Sequence, residues 1–139
     1  MVLLSKLENL EVLKFYNATW DQTFFKFMQK GFNYMHENKR SLKKLKMTGF
    51  GSGMTGEYLY PCLKNLPDLI SLDFSDTALQ MPDVKAIGKV LADFKDIREL
   101  NISNCSLDVS KTKLIADGIM RAKKLEILKA AENVSMGAG

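Results

Sequence analysis

The segment Gly51-Ser52-Gly53-Met54-Thr55-Gly56 comes nearest in residue type and spacing to a known chemistry. Glycines in the order G-x-G-x-x-G let backbone N–H groups approach a pyrophosphate at the start of a helix. An acidic residue roughly 20 positions on then takes a ribose hydroxyl. Asp73 and Asp76 stand near that distance. Three features oppose a nucleotide site. The preceding stretch, Leu42-Lys43-Lys44-Leu45-Lys46-Met47, alternates with lysine, whereas a central parallel strand buried on both faces is almost continuously apolar. Pro61 falls inside the helix that would have to aim at the pyrophosphate, where its ring removes a backbone hydrogen bond. Glu57 stands where a P-loop needs its lysine. A nucleotide-binding or enzyme-associated module using Gly51–Gly56 is therefore the secondary expectation for this chain.

Other reactive residue types are scattered. The single histidine, His36, sits beside Glu37 and Lys39 and reads as a solvated helix end. No nucleophile with its base, no carboxylate pair and no metal-ligand cluster occurs at useful spacing. The expectation is a binding module with no catalytic residues, no cofactor and no metal, and hence no enzyme. The run Lys39-Arg40, Lys43-Lys44 and Lys46 is basic, but the formal net charge is only +4 and acids follow at Asp68, Asp73 and Asp76. No aromatics interleave with the run for base stacking, which argues against nucleic acid, and the same modest charge argues against anionic lipid. No stretch of about 18 apolar residues is present to span a membrane. Cys62 and Cys105 lie far apart and read as two buried free thiols in a reducing, cytoplasmic setting. The sequons at Asn17, Asn101, Asn104 and Asn133 fall in or beside strands, where Asn and Ser simply recur with the pattern described next.

Five segments share one wording: an apolar residue, two others, leucine, one other, an apolar or small residue, and then a helix. They are Leu10-Leu13-Phe15, Leu42-Leu45-Met47, Leu69-Leu72-Phe74, Ile97-Leu100-Ile102 and Leu125-Leu128-Ala130. The first position advances by 32, 27, 28 and 28 residues. In the fourth copy Leu100 and Ile102 are two apart and share one face of a strand, while Glu99, Asn101 and Ser103 take the other. Leu114, Ile115, Gly118, Ile119 and Ala122 then recur at three and four, the period of a helix with one buried stripe. In the third copy Val84, Ile87, Leu91 and Phe94 form that stripe, and Pro82 suits the first turn. The first copy carries a longer helix with Phe24, Phe27, Met28, Phe32 and Met35, which accounts for its longer spacing. A unit of this kind cannot bury its apolar face alone, but stacked units share a core.

The pattern resembles leucine-rich repeats, and its 28-residue form resembles the ribonuclease-inhibitor type. The resemblance implies an α/β fold, a single domain over residues 1–139 of about five repeats: a horseshoe-shaped solenoid with a parallel sheet on its concave side and helices on its convex side. It implies Asn or Cys at the ninth position to hold each turn. That position carries Ala18, Phe50, Thr77, Cys105 and Asn133, so the first two turns must be held by other means. The apolar Val2, Leu3, Leu4 and Leu7, and the uncovered Met136-Gly-Ala-Gly, give the expectation of a segment of a longer protein or assembly. The function implied is that of a non-enzymatic protein–protein scaffold.

Alternation places the third, fifth and seventh positions on the face away from the helices. The third are Val12, Lys44, Ser71, Glu99 and Ile127; the fifth are Lys14, Lys46, Asp73, Asn101 and Lys129; the seventh are Tyr16, Thr48, Ser75, Ser103 and Ala131. Lys14, Lys44 and Lys46 are expected to crowd together with no acid between them; the alternative is that charges alternate only for solubility and Lys46 simply pairs across strands with Asp73. Asp73, Asp76 and Glu99 are expected to crowd in the next two repeats. The expected binding residues are Lys14, Tyr16, Lys44, Lys46, Asp73, Glu99 and Asn101. The partner is expected to be an acidic protein surface, with Tyr16 as its aromatic anchor.

Overall fold

A computed structural model of the chain describes residues 10–51 and 55–133. Ser52, Gly53 and Met54 of the glycine segment lie outside the described residues, as do Val2, Leu3, Leu4, Leu7 and Met136. Strands and helices alternate: β1 (Val12–Trp20), α1 (Gln22–Glu37), β2 (Lys44–Gly51), α2 (Thr55–Leu63), β3 (Ser71–Asp73), α3 (Met81–Leu91), β4 (Glu99–Asn101), α4 (Val109–Arg121) and β5 (Ile127–Lys129). The strands form one parallel sheet in chain order.

The repeat sets the register. Leu13, Leu45, Leu72, Leu100 and Leu128 pair one with the next across all five strands. Leu45, Leu72 and Leu100 are buried, as are Phe74 and Ile102. They pack with Val84, Ile87, Val90, Leu91 and Ile115 of the helices in one apolar cluster that runs from Trp20 to Ala122. Leu13 and Phe15 on β1 are only partly buried.

Helix starts follow local chemistry. Asp21 and Asp108 each accept a backbone N–H three residues on, from Phe24 at 2.8 Å and Lys111 at 2.9 Å. At α3 the Gln80 N–H donates to the Asp83 carboxylate at 2.9 Å, and Pro82 occupies the first turn as expected. The α1 stripe is Phe25, Met28, Phe32 and Met35. Phe27, on the same helix, is 48% exposed because it falls off the three-four spacing of those four residues. Where α3 meets α4, a Cβ added to Gly118 would lie 2.4 Å from the Gly88 carbonyl oxygen, so the two backbones touch without side chains between them.

The ninth position holds three turns. The Thr77 hydroxyl accepts from the Gly49 N–H at 3.3 Å and donates to the Ser75 carbonyl at 3.3 Å. The Cys105 thiol donates to the Phe74 carbonyl at 3.1 Å. The Asn133 side chain accepts from the N–H groups of Cys105 and Leu107 at 2.8 and 3.1 Å, and donates to the Ile102 carbonyl at 2.8 Å. The residue before each, Asp76, Asn104 and Glu132, is left-handed, with φ of 61°, 52° and 62°. In the first two copies pairing replaces the turn. β1 and β2 run on for nine and eight residues, to Thr19↔Phe50 and Trp20↔Gly51, where the later strands have three. The register shifts between Phe15 and Ala18, so two residues of β1 face one of β2. Asn17, inside this bulge, has φ 54° and donates its N–H to the Thr48 hydroxyl at 3.0 Å. The lengthened β1 delivers Trp20 into the core, where its ring meets Phe25 and Phe74 edge-on.

Candidate functional site

The expected binding residues lie on the sheet face opposite the core. Register places Val12, Lys44, Ser71, Glu99 and Ile127 in one row, and Lys14, Lys46, Asp73, Asn101 and Lys129 in the next. Every one of these ten side chains is exposed or half-exposed. Two of the five seventh positions behave differently, while Tyr16, Ser103 and Ala131 stay exposed or half-exposed. Thr48 and Ser75 were expected on this face, yet they are 4% and 7% exposed. After Ser75 the chain turns at Asp76, and Thr48 is drawn into the bulge by its bonds to β1, so in these two copies alternation ends before the seventh position.

The charges are mostly satisfied within the face. Lys46 Nζ lies 3.7 Å from Asp73 Oδ2 and 5.1 Å from the centre of the Tyr16 ring. Asn101 Nδ2 donates to the same Asp73 oxygen at 3.3 Å. Lys129 pairs with Glu99 at 3.2 Å. Asp76 accepts from Asn104 Nδ2 at 3.1 Å. These pairs cross between neighbouring repeats, and each contributes well under about 1 kcal/mol at such exposure. The expectation of a three-lysine cluster with no acid is thus corrected: Lys46 belongs to Asp73. Lys14 and Lys44 remain without an acidic partner among the described residues.

Asp73 and Asn101 also shape the backbone. Asp73 Oδ1 accepts from the Ser75 N–H at 2.8 Å, and Asn101 Oδ1 accepts from the Ser103 N–H at 3.1 Å. Both residues close the turn that leaves their strand, so their offer to a partner is limited to what those bonds leave over. A shallow hollow of about 200 Å³ between Lys14, Lys44, Lys46, Ser71, Asp73 and Glu99 marks the middle of the face. Tyr16, at one end, is 61% exposed.

A second concavity, of about 390 Å³, lies on the helix side and was not anticipated. Tyr60 and Pro61 of α2 and Pro82, Lys85 and Lys89 of α3 line it. Tyr60 donates its hydroxyl to Asp93 at 3.0 Å, and Lys89 Nζ stands 4.2 Å above its ring. The Asp93 bond, with burial behind it, holds the phenol above its ordinary pKa. Prolines and a tyrosine outside the repeat stripe were the available sequence signal.

Both cysteines are buried free thiols, as expected. Burial pushes the Cys105 thiol up to about 12 and the Cys62 thiol higher still. His36 is exposed at the end of α1. Among the described residues no group of His, Cys, Asp and Glu is arranged to hold a metal ion. No helix among them is long and apolar enough to cross a membrane.

No protein-family model and no curated protein matches the chain. Solved structures do. The tropomodulin C-terminal domain of Caenorhabditis elegans superposes with a TM-score of 0.59 at 12% identity, covering 98% of this chain and 81% of that one. At that identity the likeness speaks for the backbone alone. The parallel sheet in chain order, the intervening helices and this neighbour together give the chain a leucine-rich-repeat type of α/β fold.

Proposed function

We propose that the chain is a non-enzymatic protein-interaction scaffold. In this reading it forms one domain over residues 1–139 and is a segment of a ribonuclease-inhibitor-like leucine-rich-repeat solenoid, working as part of a larger chain or assembly. Its sheet face, concave in such a solenoid, receives a protein partner. One observation carries the reading. The register fixes ten side chains in two straight rows on a backbone that the sheet itself holds rigid, and neither row is spent on the core.

The partner is acidic where it crosses β1 and β2. Lys14 and Lys44 sit on adjacent strands without an acid among the described residues. Like charges so placed repel, and an incoming carboxylate relieves the repulsion. Tyr16, steadied by Lys46 over its ring, supplies the aromatic contact beside them. Two unpaired thiols persist best in a reducing compartment, which supports the cytoplasm as the setting.

Binding kinetics with the captured partner at two salt concentrations test this. Reversing both lysines, Lys14→Glu with Lys44→Glu, should slow association by roughly tenfold and flatten its salt dependence. Tyr16→Ala should mainly hasten dissociation. Binding that ignores both salt and the lysine reversals would move the contact to the helix side, at Tyr60 and Lys89.

A further inference from the structure

The hollow on the sheet face holds more positive charge than its own acids answer. Lys14, Lys44, Lys46, Asp73 and Glu99 line it, with Ser71 among them. Asp73 is met by Lys46 and by Asn101, and Glu99 is held by Lys129. With each acid so matched, Lys14 and Lys44 leave two positive charges over. Lys44 lies inside the sheet, and its neighbours in the row are Val12 on β1 and Ser71 on β3. Neither can neutralise it, so its want of an acid does not turn on what stands beyond β1. Ser71, half-exposed beside Lys44, has a hydroxyl with no hydrogen-bond partner among the described residues.

We infer that this hollow receives the phosphate of a phosphoserine or phosphothreonine on the partner, so that phosphorylation of the partner switches binding on. The inference rests on the reading of this face as the partner's site and gives the acidic contact its chemistry. A carboxylate carries one charge and answers one of the two lysines. Two carboxylates would have to share one hollow of about 200 Å³, where they repel each other and meet Asp73 and Glu99 as well. A phosphate brings nearly two charges in one compact group. Its three oxygens suit the two ammonium groups and the Ser71 hydroxyl.

A phosphorylated lipid headgroup offers the same chemistry, and the surroundings speak against it. A flat anionic bilayer is held by a face of one sign. Here Asp73 and Glu99 stand in the hollow itself, and a bilayer would meet these carboxylates together with the lysines. A single side chain entering from a protein touches Lys14, Lys44 and Ser71 and leaves both acids to their own partners.

Backbone amide NMR shifts of the isotope-labelled whole chain, at fixed ionic strength, test the inference. Three short peptides serve as probes, alike except for a central phosphoserine, aspartate or serine between glycines. The phosphoserine peptide should shift the amides of β1, β2 and β3 and bind about tenfold more tightly than the aspartate peptide. Lys14→Met and Lys44→Met should each weaken it about tenfold, and Ser71→Ala about threefold, with the rest of the amide spectrum retained as the check on folding. Lys85→Met, on the helix side, should change nothing. Equal affinity for phosphoserine and aspartate overturns the inference and leaves the acidic-partner reading standing, because one negative charge would then suffice. No shift with any peptide overturns it too, and the partner kinetics then decide that reading separately. Phosphoserine binding that ignores both lysine variants overturns it by placing the site elsewhere. Phosphatidylcholine vesicles carrying a monophosphorylated phosphatidylinositol complete the test, and the chain should not sediment with them. Co-sedimentation abolished by Lys44→Met would assign the phosphate to a lipid and overturn the inference.

Discussion

Asp83 is the residue whose chemistry is least at ease with its place. It is 1% exposed, one carboxylate oxygen caps the Gln80 N–H, and the other has no hydrogen-bond partner. Burial holds its pKa above the ordinary carboxylate value, an effect that the Gln80 N–H and the charge of Lys111 offset in part. The folded chain thus binds this proton more tightly than the unfolded chain does. Above the raised pKa the buried charge costs stability. As pH falls through that pKa the folded state takes up the proton and gains, and the gain is complete below the unfolded value of about 3.9. Asp83→Asn keeps the capping oxygen and removes the titration. Wild type should therefore gain on Asp83→Asn between about pH 7 and pH 4 in chemical denaturation, and a constant difference would place the carboxylate in water. The thiols make a simpler case. Their raised pKa values and burial leave almost no accessible thiolate. A thiol reagent near neutral pH should find none in the folded chain and both after unfolding.

At the scale of elements, the sequence is legible wherever the 28-residue period is strict. From the third copy on, one alignment of leucines returns the strand register and the ninth-position cap. It loses force in the first two copies for a physical reason. Ala18 cannot cap a turn, and β1 and β2 pair onward to Trp20 and Gly51 in place of turning. Such an extension, with its bulge at Tyr16 and Asn17, leaves no periodic trace. The expected binding rows were readable for the same reason as the register. The pairing of Lys46 with Asp73 was readable as well, as the alternative to a lysine cluster without an acid, because the register sets the two residues side by side. The contact of α3 with α4 depends on Gly88 and Gly118, which spacing placed on the buried stripe only in part. Gly118→Ala gains helix propensity, about 1 kcal/mol. Its methyl would sit 2.4 Å from a backbone oxygen that cannot swing aside. Forcing the helices apart costs about 1–3 kcal/mol, so the expected result in denaturation is a net loss of stability. A gain would mean that the two helices slide apart freely.

For the whole molecule the consequence of stacking is a core without seams. Apolar contacts run unbroken from Trp20 through Phe74 and Leu100 to Ala122, so no repeat has a core of its own. Unfolding should then be one cooperative transition, and the cost of a truncation should depend on where in the stack it falls. Leu100 and Leu128 make the comparison direct. They are the same residue type at the same repeat position, paired to each other across β4 and β5. Leu100 is fully buried with strands on both sides, and Leu128 is 45% exposed on the last described strand. Cutting Leu100 to alanine removes buried methyl groups and leaves a cavity between fixed neighbours, a loss of about 2–5 kcal/mol. Cutting Leu128 removes side-chain atoms that are already half in water, and no cavity forms, so about 1 kcal/mol or less is at stake. Both variants should be measured by chemical denaturation under the same conditions, so that the two losses compare directly. Equal losses at the two positions would mean that β5 is covered in the monomer. A loss at Leu100 confined to its own repeat, seen as a second transition, would mean that the stack does not fold as one.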